Sequence, residues 1–229
     1  VVVLGLTSNY ALPLGALAGA LTAVTLVYRI SWSRGSSSSY TLILAGVALS
    51  SLFSALTTAL IFIAGPYQQH RVLFWMMGGL WRSSWTLFKI LLPVVTLVAG
   101  IIFAWSRDLN ALALGESAAS HLGVKPETVK KTLLGLATTI TAVSVAAAGS
   151  IGFVGLVIPH IMRMILGPDH RILLPAAALG GAVFLVYTDV LAKTIVQPVE
   201  MPVGVITAFF GAPFFLYLLR RRIVGGRMR

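Results

Sequence analysis

The 229-residue sequence contains no cysteine and few charged side chains. The absence of cysteine excludes disulfides and thiolate chemistry, and it leaves the redox compartment unspecified. Charged residues make up 10% of the chain, whereas a soluble domain carries about 25%. Hydrophobic residues make up 58%, and the mean hydropathy is +0.94. Because so few polar side chains cannot cover a surface that faces water, we predict an integral membrane protein.

Acidic residues are also scarce: 6 Asp and Glu stand against 17 Lys and Arg, which gives a net charge of +11. A nucleic-acid-binding protein concentrates its basic residues on one stripe or patch. Here they fall in short clusters between apolar runs, as is typical of transmembrane proteins. The pattern therefore indicates membrane lipid, and not nucleic acid, as the surroundings of this chain.

No cleavable signal peptide is visible, because the chain opens on VVVLGL without a methionine or a basic leader. We expect this opening to be the tail of an earlier segment. The sequence also lacks a grouping of nucleophile, base and orienting residue, which disfavours intramembrane catalysis.

Seven apolar runs approach or reach the 17 to 25 residues, roughly, that a transmembrane helix needs. The fifth run is short, and its Pro159 is expected to bend or break the helix. Small residues recur within the runs and allow close helix packing in lipid. The sequence thus predicts an all-α, polytopic transmembrane bundle. The runs are residues 11–28, 40–64, 86–105, 128–148, 151–166, 172–191 and 202–219.

The connecting segments carry an uneven share of the basic residues. Of the 17 Lys and Arg, 13 lie in one alternating set of connections and 4 in the other. Basic residues accumulate on the cytoplasmic side, so the first set and the C-terminus are predicted to be cytoplasmic. The 4 outer residues are Arg71, Arg82, Lys89 and Lys193.

Two connections are longer than a turn. The outer one, residues 65–85, is too polar and glycine-rich to span, and a short helix at the membrane surface fits it best. The inner one, residues 107–126, has leucines that give two short helices an apolar face, with glycines as breaks. Exposed apolar side chains on a cytoplasmic segment indicate a docking surface for another protein.

Five blocks of sequence resemble the FecCD family, the membrane subunits of type II ABC importers for iron-siderophore, haem and vitamin B12 uptake. The similarity runs in unbroken order from about residue 1 to residue 222. The blocks are LILAGVALSSLFSAL at 42–56, WMMGGL at 75–80, LALGESAASHLGV at 112–124, GSIGFVGLVIPHIMRMILGPDHRILLP at 149–175, and MPVGVITAFFGAPFFLYLLRR at 201–221.

The resemblance implies one permease domain over residues 1–229, in the cell (inner) membrane, that pairs with a second permease subunit, usually as a homodimer. Ten helices per subunit are expected, so that this chain looks like helices four to ten. Two ATPase subunits would bind the cytoplasmic side, and a periplasmic or lipid-anchored substrate-binding protein would dock outside. No Walker A sequence occurs, so ATP and Mg belong to the partners and this chain is expected to bind no cofactor.

The resemblance also implies which residues contact the ATPase. Residues 107–126 would form coupling helices that push on the bundle, whereas an ordinary solvated loop is the alternative. The expected contacts are Leu112, Gly115, Glu116, Ala119, Leu122 and Gly123. The turn at Asp169, His170 and Arg171 would lie near the same interface.

On the outer side, Lys193 aligns with a basic position that pairs with acidic residues of the binding protein, and Arg71 and Arg82 are weaker candidates. A lysine that reaches the lipid headgroups is the alternative for Lys193. Trp75, Met76, Met77, Gly78 and Gly79 resemble a short helix that helps to gate the pathway, while static anchoring by tryptophans is the other interpretation.

The histidines of residues 149–175 invite a metal-site interpretation, which the spacing disfavours. His160 and His170 are separated by a Gly-Pro pair, so that no single helix face presents both. We expect Pro159 and His160 to form a helix kink and Asp169 to cap the next helix.

Two other functions remain open from the residues. Asp189 and Glu200 suit an ion- or proton-coupled secondary transporter, because intramembrane carboxylates are costly and often functional. For Asp189, however, a salt bridge or cap near Lys193 is favoured. A membrane enzyme that uses His160 is the second rival.

Overall fold

The computed structural model describes residues 11–33, 36–37, 39–81, 83–196, 198 and 200–226. Within them the chain forms ten helices and one antiparallel pairing of two-residue strands, β1 (Trp32–Ser33) and β2 (Ser36–Ser37). The predicted all-α class is confirmed. The helices are α1 (Ala11–Ser31), α2 (Ser39–Ile63), α3 (Pro66–Met76), α4 (Trp85–Ala104), α5 (Ser106–Ala113), α6 (Glu116–His121), α7 (Pro126–Ala148), α8 (Val154–Leu166), α9 (His170–Thr194) and α10 (Val203–Gly226).

Five of the described helices, α1, α2, α4, α7 and α9, are long and apolar enough to cross a membrane. The shorter helix α8 and the Val203–Leu218 part of α10 are apolar as well. All seven predicted runs therefore form helices. The predicted short outer helix is α3, which starts with Pro66 in its first turn, where the missing N–H costs nothing.

The long helices pack in two groups. Helices α1, α2, α4 and α7 contact one another in one group, and α8, α9 and α10 do so in the other. The short helix α5 contacts α4 and α7 of the first group and α9 of the second. The α5–α6 hairpin therefore lies where both groups end.

A small core joins the end of α9 to the start of α10. Ala192, Val203 and Ile206 are buried together, and the Met201 N–H donates to the carbonyl oxygen of Ala192 at 3.0 Å. Buried Thr188 satisfies its hydroxyl on the Phe184 carbonyl oxygen of its own helix, at 3.0 Å. Because lipid supplies no hydrophobic drive between helices, such close packing is what holds these ends together.

Many of the remaining large apolar side chains are exposed. Phe62 is 87% exposed near the end of α2, and Phe209 is 76% exposed on α10. In water such surfaces would associate. Exposed apolar side chains of this extent on the long helices are those of a protein surrounded by lipid.

Candidate functional site

The α5–α6 hairpin turns at Gly115, whose backbone has φ 108° and ψ 155°. This region of φ and ψ is essentially restricted to glycine, because a β-carbon would clash with the backbone. Leu114, just before the turn, is 72% exposed. The glycine thus lets the chain reverse sharply and leaves a leucine at the tip.

Helix α6 ends in a Schellman motif centred on Gly123. The Val124 N–H donates to the Ala119 carbonyl oxygen at 3.1 Å, and the Gly123 N–H donates to Ser120 at 3.0 Å. The positive φ of Gly123, 82°, is what this motif requires. Ala119 is fully buried, whereas Leu122 is 65% exposed. The predicted pair of short helices with glycine breaks is confirmed, and the hairpin presents Leu114 and Leu122 outward.

An ion pair joins α6 to α7. Lys130 Nζ lies 2.6 Å from Glu116 Oε1 and 3.8 Å from Glu127 Oε1. Lys131, next in α7, lies over the ring of Tyr28 on α1 at 6.0 Å. Two adjacent basic residues of α7 are therefore held by partners on α6 and α1 at one end of the bundle.

A second connection joins α5 to the turn before α9. Asn110 Nδ2 donates to Asp169 Oδ1 at 2.7 Å, and Asn110 Oδ1 accepts from the His170 backbone N–H at 2.9 Å. Because the backbone N–H can only donate and the carboxylate can only accept, these partners fix the orientation of the amide. His170 Nδ1 lies 2.7 Å from the same Asn110 oxygen, so it is the protonated ring nitrogen.

Asp169 caps α9, as predicted: its Oδ1 accepts from the Arg171 N–H at 2.9 Å. Together with the bond from Asn110, this hydrogen bond holds the pKa of Asp169 below 3.8, its usual value. The carboxylate therefore stays charged at neutral pH. His170 is half-buried and Arg171 is exposed at the same turn.

Asn110 is absent from the residues that the sequence singled out. It lies 59 residues from Asp169, and no local pattern connects the two positions. A polar amide in a helix turn between leucines is the only signal, and it is a weak one. The structure thus adds Asn110 to the predicted residues of the inner end.

The segment after α3 lies at the end of the bundle opposite the α5–α6 hairpin. There it contacts the end of α7 and the start of α10. The Gly79 N–H donates to the Ala148 carbonyl oxygen of α7 at 2.8 Å. A β-carbon added to Gly204 of α10 would overlap the Met77 carbonyl oxygen, and one added to Gly78 would overlap the backbone of Ser150. Beside this junction is a cavity of about 480 Å³, lined by Met76, Met77, Ser150, Gly204, Val205, Ala208 and Phe209.

The outer basic residues differ in their surroundings. Lys193 Nζ lies 2.6 Å from Asp189 Oδ2, which confirms the predicted salt bridge. Arg71 lies over the ring of Tyr67 at 5.7 Å. The other predicted docking residue, Arg82, lies outside the described residues.

Helix α8 continues through Pro159, so the alternative of a broken helix is wrong. Neighbouring helices can satisfy the carbonyl that proline leaves free in a membrane segment, and the preceding residues Val157 and Ile158 are buried against them. His160 is half-buried. Across the described part of the chain, no three His, Asp or Glu side chains come close enough to hold a metal ion.

The fold defines a class: a multi-spanning membrane protein with a short helical foot, the α5–α6 hairpin of residues 106–121, at one end of its bundle. The chain belongs to the FecCD transport family, whose family model matches residues 1–221.

Relatives of this chain carry transport names. It is 45% identical over 209 residues to the cobalamin import system permease protein BtuC of Halobacterium salinarum, which covers 91% of this chain and 56% of the relative. It is 40% identical over 220 residues to the hemin transport system permease protein HmuU of Yersinia pestis, at 95% and 65% coverage. It is 42% identical over 210 residues to the Fe(3+) dicitrate transport system permease protein FecD of Escherichia coli, at 92% and 65% coverage.

A solved structure shares the fold. It is described as a metal-chelate type ABC transporter in an inward-facing conformation, and it matches with a TM-score of 0.81 and 33% identity. The match covers 93% of this chain and 72% of that chain. This chain spans 56% to 65% of the length of the three curated relatives.

Proposed function

We propose that this chain is the permease subunit of an ABC importer that translocates a metal chelate or a corrinoid. Its membership of the FecCD transport family supports this proposal, as do relatives named for cobalamin, hemin and Fe(3+) dicitrate transport. In this assembly the chain pairs with a second permease subunit. Two ATPase subunits hold ATP and Mg, and this chain itself binds no cofactor.

The observation that carries the proposal is the α5–α6 foot. It exposes Leu114 and Leu122, and it is attached to both groups of long helices. An external motor needs an apolar, shape-matched surface to push on, and it needs that surface to be joined to the parts that move. Both requirements are met at one place.

The expected contacts with the ATPase have distinct roles in this scheme. Gly115 and Gly123 form the two turns, and Glu116 orients α6 through its ion pair with Lys130. Ala119 is the fully buried residue of α6. Leu122 supplies exposed apolar surface, whereas Leu112 is half-buried. Asp169, His170 and Arg171 border the same region through Asn110.

The orientation follows from the basic residues at this end. The foot, the turn before α9 and the C-terminus lie in the cytoplasm, because these connections and the one after α1 together hold 13 of the 17 Lys and Arg. The α3 side then faces the outside. There Arg71 and Lys193 meet acidic side chains of the substrate-binding protein. Because Asp189 already neutralises part of the Lys193 charge, Arg71 contributes more of the long-range attraction.

The residues from Trp75 to Gly79 serve as the outer gate. Met76 and Met77 line the cavity beside the start of α10, and flexible thioether side chains suit a surface that must repack between states. Opening this segment would connect the binding protein to the pathway between the two permease subunits.

Reconstitution tests the proposal. The full-length protein, purified with its ATPase, is placed in proteoliposomes with ATP on the ATPase side. Binding proteins loaded with haem, a ferric siderophore, ferric dicitrate or cobalamin are then added outside. We expect one loaded binding protein to stimulate ATP hydrolysis and to drive uptake of its chelate.

The same vesicles separate the alternatives. Sustained uptake under a proton gradient, without the ATPases, would contradict the proposal and support a secondary transporter built on Asp189 and Glu200. Uptake that requires ATP and a loaded binding protein would exclude that mechanism.

A further inference from the structure

The proposed function leaves open how motion of the foot reaches the outer gate. Two long helices, α7 and α9, start at the foot; α7 ends at the gate segment, residues 75–79, and α9 ends beside the start of α10. Helix α7 follows α6 directly in the chain, and its last residue, Ala148, accepts from the Gly79 N–H. The first of the two connections is therefore covalent at the foot and hydrogen-bonded at the gate.

The second connection runs through α9. At the foot, all hydrogen bonds between α5 and the turn before α9, within the described residues, use the Asn110 side chain. The helix then continues for 25 residues, which is about 37 Å. This exceeds the hydrocarbon core of a membrane, about 30 Å, so one helix carries the connection across.

The outer end of α9 is joined to the gate through α10. Met201 N–H donates to Ala192 of α9, and Ala192 packs with Val203 and Ile206 of α10. Gly204, in the same first turn, lies against the Met77 carbonyl oxygen. A displacement of α9 along its axis therefore moves the start of α10, which is in van der Waals contact with the gate segment.

Resting on the proposed function, the geometry points to a closed linkage of four parts, in which Asn110 is the positioning residue that connects the foot to α9. The parts are the foot, α7, the gate segment, and α9 together with the start of α10. Both long helices must move together for the gate to respond, since the gate segment contacts the end of α7 directly and is joined to α9 through the start of α10. Without Asn110, α5 and α9 still pack but share no hydrogen bond within the described residues, so the foot moves α7 and slides against α9.

The position of Pro175 strengthens this assignment. Proline has no N–H to donate to the Arg171 carbonyl oxygen, so the first turn of α9 lacks one of its own hydrogen bonds. The His170 N–H, one of the donors without a partner at a helix start, is satisfied by Asn110. The first turn of α9 is thus held by hydrogen bonds from α5 as well as by the rest of α9. Motion of α5 is therefore passed to α9 at this turn.

The α6–α7 ion pair is a weaker connection by comparison. Lys130 and Glu116 are 36% and 63% exposed, and exposed pairs contribute about 0–1 kcal/mol. The α7 side does not depend on it, however, because the chain is continuous there. Asn110 is therefore the joint at which one substitution can separate the two helices.

Spin labels on the full-length permease dimer, with its ATPases in nanodiscs, test the linkage. A label at Ile195→Cys reports the outer end of α9, and a label at Ser144→Cys reports the outer part of α7; both positions are exposed. Distances between the two copies are measured by pulsed electron resonance with and without trapped nucleotide. In the parent protein we expect both distances to change.

Asn110→Ala should abolish the change at Ile195 and leave the change at Ser144. Asn110→Asp guards against a folding defect, because it still accepts from His170 but repels Asp169. It should also lose the Ile195 response. The double variant Asn110→Asp/Asp169→Asn exchanges donor and acceptor, and it should recover the response in part, which a purely structural defect would not do.

The outcomes are distinct. If neither distance in the parent protein responds to nucleotide, the proposed function fails and the linkage fails with it. If both respond and Asn110→Ala leaves the Ile195 change intact, the linkage is overturned while the proposed function stands.

Discussion

Gly204 lies directly against the carbonyl oxygen of Met77, so that a β-carbon on Gly204 would overlap that atom. The first turn of α10 thus rests on the main chain of the gate segment, with no side chain between them. Main-chain atoms cannot move aside as the end of a flexible side chain can. In the proposed linkage, the closeness of this contact allows a small shift of α10 to displace residues 75–79.

Replacing Gly204 by alanine should push the two segments apart. Overpacking of this kind costs about 1–3 kcal/mol, and we expect the melting temperature of the purified full-length complex to fall. Gly135→Ala is the matched control, because a β-carbon there meets nothing within 4 Å in the middle of α7. Alanine at that helical position should stabilise by about 0.5–1 kcal/mol. Equal melting temperatures for Gly204→Ala and the parent would contradict the contact.

The two glycines of the foot should respond differently to asparagine. Gly123 occupies a Schellman position, where asparagine is tolerated in the left-handed region. Gly115, at φ 108° and ψ 155°, lies in a region that asparagine does not share, and strain there costs about 1–3 kcal/mol.

Uptake per ATP hydrolysed measures this difference. We expect Gly123→Asn to retain most coupling and Gly115→Asn to lose it. Since neither glycine has atoms near its missing β-carbon, steric overlap does not confuse the comparison. Similar coupling in the two variants would count against the backbone explanation.

Reversing the charge of Glu116 should uncouple transport from hydrolysis without unfolding the bundle. Glu116→Gln removes an exposed ion pair worth about 0–1 kcal/mol and should leave the melting temperature nearly unchanged. Glu116→Arg places two cations together and should displace α6, so that ATP-driven uptake is lost. Exchange of both charges, Glu116→Lys with Lys130→Glu, should restore part of the uptake. Normal uptake by Glu116→Arg would contradict the role of this pair.

Sequence reasoning captured the features that depend on neighbouring residues. A membrane helix needs an unbroken apolar run, so all seven runs appear as helices. Local signals also located the cap at Asp169 and the glycine breaks at Gly115 and Gly123. The pairing of Lys193 with Asp189 follows from their spacing of four residues on one helix.

The connections between distant segments were beyond such reasoning. Asn110 and Asp169 meet only because α5 packs against α9, and the contact of Gly204 with Met77 joins segments on different helices. The residue type at one of these positions does not indicate which distant residue it will contact. Pro159 shows the same limit: its local preference predicts a bend or a break, and only the structure shows that α8 is not broken.

The carboxyl group of Asp169 should titrate differently when Asn110 is removed. Hydrogen bonds from the Arg171 N–H and from Asn110 hold its pKa below 3.8. A lowered pKa in the folded state adds stability above pH 3.8, and that stability is lost as the pH falls through the folded-state pKa. The joint therefore stays intact across neutral pH.

In Asn110→Ala we expect the pKa of Asp169 to rise toward 3.8 without reaching it, because the Arg171 N–H remains. Carbon-13 NMR of labelled aspartate carboxyl groups in the full-length protein gives the midpoint. An unchanged midpoint would mean that Asn110 does not donate to this carboxylate.

Leu114 and Leu122 of the foot expose 72% and 65% of their surface. In the proposed assembly the ATPase hides both. A permease without its ATPase would leave this apolar surface facing water, so the isolated subunit should self-associate more readily than the assembled complex.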